Sequence, residues 1–423
     1  MDRSTDTDTA TDVCVVGAGP AGLTLALLML RSGARVTVVE RSRSFDREYR
    51  GEILQPGAMS LLDDLGVLSG ARAQGAYEHT RFQLVEHGRL LMDIDYGTLP
   101  GPYGFLLSLP QRHLLTELYE ACARYPAFTY LDGSGVRELV RDGPAVTGVV
   151  CGTGERHRTV RARVVVAADG RYSKTRHLAG IEQRRLDVFA HDILWFRVPA
   201  GKRRDRHVRV HRTAGNPVLV YDSYPDSVQI GWTLPHNGYR EIAEAGIDSL
   251  RKRIAQAVPD YADQVLAQVK ELSDLTLLDV FSGYATEWAA DGLVLLGDSA
   301  HTHSPIGAQG INLAVQDAVL LHPVLTAALR SGDFGKEALS TWVPDRRRDI
   351  EQVFALQARQ SKAMLGGGGR VGRAVRPVVA RVLARTPLFG KILRRISYGS
   401  RPVAVRSELF TEPEPLCEEA AGA

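Results

Sequence analysis

The sequence predicts an α/β fold: a parallel sheet with crossover helices, interrupted by a separate antiparallel sheet and followed by C-terminal helices. Three observations predict it. Runs rich in β-branched and apolar residues at 13–16, 35–40, 163–168 and 293–296 read as parallel strands buried on both faces. Residues 207–211 and 228–234 instead alternate apolar and other side chains with period two, as half-buried antiparallel strands do. A glycine-rich turn, Gly17-Ala18-Gly19-Pro20-Ala21-Gly22, joins the first apolar run to a Leu- and Ala-rich helix. At 423 residues, and with roughly 150 per domain, the chain has room for two or three domains.

Taken in order, residues 1–11 are a polar, acidic tail expected to be disordered. Strand 13–16, helix 20–31 and strand 35–40 then form one βαβ unit, with Ser32-Gly33 ending the helix. Residues 52–75 look helical, and 82–95 look like a hairpin turning at Gly88. Leu114, Leu115, Leu118 and Ala121 mark a helix over 109–124. The segment 182–275 carries the alternating pattern, with turns at Ala214-Gly215-Asn216 and Pro225-Asp226. A helix over about 310–330 contains Pro323, which should kink it, and 345–363 carries charges at helical spacing. The expected organisation is one discontinuous domain from 12–75, 106–181 and 276–345, a sheet domain from 76–105 and 182–275, and a helical, basic segment over 346–423.

Lys and Arg number 52 and Asp and Glu 49, a net charge of +3 that excludes a dedicated nucleic-acid binder. The balance is a cancellation. Residues 370–401 hold nine basic and no acidic side chains, so the rest of the chain is net −6. Cys14, Cys122, Cys151 and Cys417 are far apart, which argues against a metal site or a disulfide framework. The polar N-terminus lacks a secretory pattern, and no run of 18 apolar residues occurs, so the expectation is a soluble, cytoplasmic protein.

The turn at 17–22 is a GxGxxG between strand and helix. Gly17 permits the tight turn, Gly19 lets backbone approach a pyrophosphate, and Gly22 lets helix pack on strand. The helix N-terminus then offers unpaired N–H groups to phosphate. Glu40 ends the second strand, where a carboxylate can accept bonds from a ribose. This makes the first domain Rossmann-like and leaves nicotinamide and flavin dinucleotides open. A second stretch, Leu295-Leu296-Gly297-Asp298-Ser299-Ala300-His301-Thr302-His303-Ser304-Pro305-Ile306-Gly307-Ala308-Gln309-Gly310-Ile311-Asn312, favours flavin. A strand delivers Asp298 where it can bond a ribityl hydroxyl, the prolyl and glycyl backbone can pass close to a flat ring, and the helix starting near Gly310 aims its positive end at that ring.

With GAGPAG and Glu40, Ala168-Asp169-Gly170, and GDSAH…P…GAQGIN together, residues 12–345 resemble the class A FAD-dependent monooxygenases typified by para-hydroxybenzoate hydroxylase. The resemblance implies that Gly17, Gly19, Ala21, Gly22, Glu40 and Arg41 hold ADP, that Asp169 and Gly170 lie near the pyrophosphate and the NAD(P)H path, and that Asp298, Pro305, Gly307, Gly310, Ile311 and Asn312 hold ribityl and ring. Arg50-Gly51 resembles the family's pyrophosphate arginine, and Gln111 or Arg112 opens the helix that touches the ribityl chain. The implied reaction is FAD reduction by transient NAD(P)H, formation of a flavin C4a-hydroperoxide with O2, and oxygen transfer to an aromatic or polycyclic small molecule, in a biosynthetic tailoring role. The cofactor supplies that chemistry, so the lack of a Ser/His/Asp triad or metal cluster is no obstacle.

The sheet domain is expected to cover the flavin. Tyr224, Trp232 and Ile306 are candidate substrate contacts, and His303, His211 and Tyr221 are candidate bases for a phenolic substrate. The alternative for each strand residue is ordinary packing; His301 is expected to be structural. Rival activities are an oxygen-independent reductase of the geranylgeranyl-reductase kind and an epoxidase or Baeyer–Villiger oxygenase. Halogenation is disfavoured because Trp232-Thr233-Leu234-Pro235 departs from WxWxIP. The basic run at 370–401 reads either as a membrane-surface element or, preferentially, as helices packed on the FAD domain, because Pro377 and Pro387 interrupt a long amphipathic helix.

Overall fold

The chain begins with strand β1 (Thr9–Val16), helix α1 (Pro20–Arg31) and strand β2 (Val36–Val39) in a computed structural model that describes residues 9–46, 51–86, 88–154, 156–186, 189, 191–201, 206–212, 216–365 and 386–411. Arg50, the glycines at 366–369 and the first half of the basic run, 370–385, lie outside the described residues. Thr9–Thr11, expected in the tail, instead extend β1, because Val160–Ala162 offer a parallel edge for them to pair with.

Helix α2 (Pro56–Asp64), the hairpin β3 (Arg81–Glu86) and β4 (Arg89–Asp95), and helix α3 (Gln111–Ala123) follow. Next come β5 (Phe128–Leu131), β6 (Gly135–Asp142), β7 (Ala145–Thr153) and β8 (Arg156–Ala167). The second sheet adds β9 (His191–Pro199), β10 (His207–Arg212), β11 (Val218–Ser223), β12 (Ser227–Pro235), helices α4 (Ile247–Ala257) and α5 (Ala262–Gln268), and β13 (Thr276–Leu278). The chain then forms β14 (Ala289–Ala290), β15 (Leu293–Leu295), and the long helices α6 (Gly310–Ser331), α7 (Val343–Leu365) and α8 (Pro387–Tyr398).

In the first sheet the order is β14-β15-β8-β1-β2-β5, parallel except at β14, with β7 and β6 carried on the outer half of β8. Its central strands are buried on both faces along their apolar runs: β1 from Val13, β8 from Val164, and β2 and β15 throughout. Helix α1 is enclosed from Ala21 to Leu30, packed between the sheet and α6. Helix α6 is long and apolar enough to cross a bilayer, yet most of that apolar run is buried inside the protein, and it runs unbroken through Pro323.

The second sheet, ordered β13-β9-β12-β11-β10-β3-β4, is mixed and not purely antiparallel: β10 pairs with β3 in parallel. These strands come from separate excursions of the chain, so no hairpin dictates their direction. Strand β13, expected in the first domain, also joins this sheet through β9. One face is closed by α4 and α5 around Leu194, Phe196, Val220, Ile230 and Trp232. The other turns Ile193, Trp195, Leu219 and Tyr221 toward Ile306, Ala308, Phe389 and Leu393.

The close approach at the first turn has a direct consequence. Gly17 has φ of 107°, and a Cβ on Gly22 would stand 2.0 Å from the Gly17 carbonyl oxygen. Gly22→Ala must therefore push α1 off β1 and should lower stability by about 1–3 kcal/mol, read as a lower urea midpoint. An unchanged midpoint would show that this packing is slack.

Candidate cofactor and substrate site

Parallel strands β1, β8 and β15 end side by side, so their C-terminal turns bring Gly17, Asp169 and Asp298 to one edge of the sheet, where open α/β sheets bind ligands. Glu40, at the end of neighbouring β2, is buried; its carboxylate accepts the Ala18 N–H and the Ser42 N–H, both at 2.8 Å. Those bonds fix the carboxylate beside the glycine turn. Arg41 beside it is exposed.

Asp169 accepts from the Ser173 hydroxyl and from the Thr175 N–H and hydroxyl, each Thr175 bond at 2.9 Å. It therefore holds the turn that presents Gly170, which has φ of 84°. Asp298 is held differently: its half-buried carboxylate lies 3.8 Å from the Arg171 guanidinium, and burial raises its pKa against the opposing pull of Arg171.

A nucleotide needs backbone that it can approach. A Cβ added at Gly19, Gly51, Gly170 or Gly310 would meet nothing within 4 Å, while the glycines that pack strand on helix have no such room. Neither α1 nor α6 has a side-chain cap, so the N–H groups of their first turns are left for a ligand. These residues fit FAD. Of the two candidates on α3, Gln111 turns inward and donates to the Gly51 carbonyl at 2.6 Å; Arg112 turns out toward Asp46 at 3.5 Å.

The loop 303–309 is clamped from three sides. Gln55 donates from its amide side chain to the Gly307 carbonyl at 2.8 Å and from its backbone to Asn312 Oδ1 at 2.9 Å. From α7, Gln357 Nε2 donates to the carbonyls of Ser304 and Ile306 at 3.0 and 2.8 Å. Beneath it lies a buried network: Asp317 accepts from Arg346 Nε at 2.6 Å, from the Gly297 N–H at 3.1 Å and from His301 Nε2 at 2.7 Å, and His301 Nδ1 meets His303 Nε2 at 2.9 Å. His303 stacks on Phe354, its Nδ1 has no partner, and burial pulls its pKa well down.

The substrate candidates separate. Ile306 lies in the apolar cluster on the inner face of the second sheet, as does Tyr221. Burial and the nearby Glu52 carboxylate push the Tyr221 pKa well up, so its phenol is held protonated and can donate or accept a hydrogen bond. Trp232 and His211 are on the wrong face. Trp232, 2% exposed, is packed under α4 with Arg253 5.3 Å over its ring, and His211 shares a small recess with Arg209 and Tyr261. Tyr224 packs against Tyr77, His113 and Gly75 instead of entering the cluster. Sequence reasoning missed Trp195, whose ring lies so close on Gly231 that a Cβ there would be 2.6 Å from it, and the buried Glu52, which accepts from Arg197 and from Ser223 Oγ at 2.7 Å. Trp195 meets Gly231 through the pairing of β9 with β12, and Glu52 meets Arg197 on β9 and Ser223 on β11, so no local signal marks these residues.

The FAD binding domain family matches residues 10–357. The chain belongs to the class A flavin monooxygenases. It is 58% identical over 405 residues to a 6-methylpretetramide 4-monooxygenase of Streptomyces rimosus, covering 96% of each chain. A protoasukamycin 4-monooxygenase of Streptomyces nodosus subsp. asukaensis is 28% identical over 82% of this chain and 86% of its own. Among solved structures, p-nitrophenol 4-monooxygenase of Pseudomonas putida superposes with a TM-score of 0.75 at 21% identity, covering 93% of this chain and all of that one. Anhydrotetracycline hydroxylase of S. rimosus does so with 0.72 at 22%, over 92% and 76%. This flavin monooxygenase thus shares its fold with enzymes of varied substrates.

Burial also sets a pH dependence. His79 and His322 are buried with pKa values pulled down to about 4, and His303 is pulled down as well. Each is neutral when folded but takes up a proton in the unfolded chain below about pH 6.5, so stability falls with pH through that point. Moving from pH 7.5 to 5.5 should cost on the order of 1 kcal/mol for each of His79 and His322 in urea unfolding. His322→Gln should remove one share of that slope; an unaltered slope would contradict the assignment.

Proposed function

We propose that this monooxygenase consumes NAD(P)H and O2 to hydroxylate a polycyclic aromatic molecule related to 6-methylpretetramide, in the tailoring of a secondary metabolite. The observation that carries the substrate class is the apolar cluster in which the inner face of the second sheet, through Trp195 and Tyr221, meets Ile306 and Ala308 of the clamped loop. A flat, largely apolar ring system suits walls of this kind, and the neutral Tyr221 hydroxyl suits a keto or enol oxygen on its edge. The identity to the S. rimosus enzyme supports the same class.

FAD, when bound, supplies the redox chemistry with oxygen. The chain's own residues bind and orient. The Gly17–Gly22 turn and the first turn of α1 take the pyrophosphate, Glu40 the adenosine ribose, and Asp298 the ribityl chain. Pro305–Asn312 offer backbone to the ring, with the positive end of α6 behind it. The second sheet covers the reacting face and excludes water. A cytoplasmic setting is consistent with Cys14, Cys122 and Cys151, all buried free thiols.

Two measurements test this reading. Asp298→Ala should weaken FAD retention about tenfold or more, as loss of a charged hydrogen-bond acceptor does, with the flavin absorbance of the purified protein as readout; undiminished retention would remove Asp298 from the site. A tetracyclic phenol should stimulate NAD(P)H oxidation in air, and oxygenated product should cease under anaerobic conditions. Continued product formation without O2 would favour a reductase.

A further inference from the structure

The C-terminal helix α8 is amphipathic in a way the cofactor site does not use. Thr386 caps it, its hydroxyl accepting the Phe389 N–H at 3.4 Å, and Pro387 opens it. Gly390, Lys391, Arg394 and Arg395 are exposed, whereas Phe389 and Leu393, one turn apart, face inward. Leu393 is 3% exposed and belongs to the same apolar cluster as Trp195, Tyr221, Ile306 and Ala308.

The helix is also fastened at both sides of that cluster. Gln309 Nε2, in the clamped loop, donates to the Ile396 carbonyl at 3.0 Å as well as to the Gly307 carbonyl at 2.9 Å. At the opposite side, the Tyr398 hydroxyl donates to the Pro100 carbonyl at 2.7 Å. The first turn of α2 passes beneath it, with Gly57 so near that a Cβ there would be 2.7 Å from the Ser397 carbonyl oxygen. Thus α8 bridges from the loop that lines the ring site to the segment after β4, with its apolar stripe packed on the cluster between them.

We infer that Phe389 and Leu393 form the substrate-contacting wall that decides which ring systems this enzyme accepts. The inference rests on the substrate class proposed above. The sheet supplies one wall through Trp195 and Tyr221, and the loop supplies another through Ile306 and Ala308. Both are fixed by strand pairing or by hydrogen bonds, so the side chains of α8 are the part of the enclosure that can be altered without disturbing the cofactor edge.

The test uses the full-length, flavin-loaded enzyme with two probes, the tetracyclic phenol anhydrotetracycline and the bicyclic 1-naphthol. Phe389→Ala and Leu393→Ala should lower the ratio of kcat/KM for the larger probe over the smaller by about tenfold or more, mostly through KM, while FAD retention stays within about twofold. A purely structural role would scale both probes alike. Phe389→Leu and Leu393→Met, which keep apolar volume, take the place of alanine variants that fail to fold, with a shift of about twofold to fivefold expected. Equal scaling of both probes in every folded variant overturns the inference and leaves the proposed function intact. A wild-type enzyme that turns over neither probe removes the proposed function instead; the same ratio is then read from binding, by the change in flavin fluorescence, and equal scaling there overturns the inference too.

Discussion

The buried Asp317 carboxylate is the point on which the site's geometry depends. It lies on α6, is fully enclosed, and accepts from a guanidinium on α7, from the backbone at Gly297 and from His301. Gly297 immediately precedes Asp298, and His301 leads into the loop that ends at α6, so one side chain ties the strand end, the turn and two helices together. Such a carboxylate is tolerable inside a protein only while its partners remain, and stripping one from a buried pair typically costs about 3–5 kcal/mol. Arg346 is used fully in this role, donating also to Gln316 Oε1 and to the Leu313 carbonyl. Positioning Asp298 is thus inseparable from packing α7 on α6.

That dependence explains why some of the site was legible in the sequence and some was not. The glycine turn, Glu40 and the GDSAH segment are local: strand, turn and helix are adjacent in the chain, and the constraint on Gly22 is set within six residues, by the Gly17 carbonyl. Arg346 gave no such signal. It stands among Arg347, Arg348 and Asp345 in a helix whose charges look solvated, and most of them are; only the contact with α6 singles out one arginine for burial. Glu52 was hidden for the same reason, since its partners Arg197 and Ser223 lie on strands far along the chain.

Period-two alternation located β10 and β12 of the second sheet but could not say which face met the flavin domain. In a sheet with one wet face, polarity decides the question; here both faces are covered, one by α4 and α5 and the other by the loop 303–309 and α8. Trp232 and Trp195 are then equally suited to either side, and the register of β9 against β12, which sets Trp195 opposite Gly231, allots them. A shift of one residue would exchange the two faces. Gly231, by leaving the Trp195 ring room to lie flat, is where that register is enforced.

The same network fixes protons as well as atoms. His301 joins the two sides, with Nε2 on the Asp317 carboxylate and Nδ1 on Nε2 of His303. Burial pulls the His303 pKa well down, so its ring is held neutral. In this buried cluster the Asp317 carboxylate is ion-paired with Arg346, and His303 at the start of the loop is neutral. What the fold leaves at that loop is the first turn of α6, whose N–H groups have no side-chain cap and whose dipole favours an anion. The cluster's contribution is to hold that helix end in place.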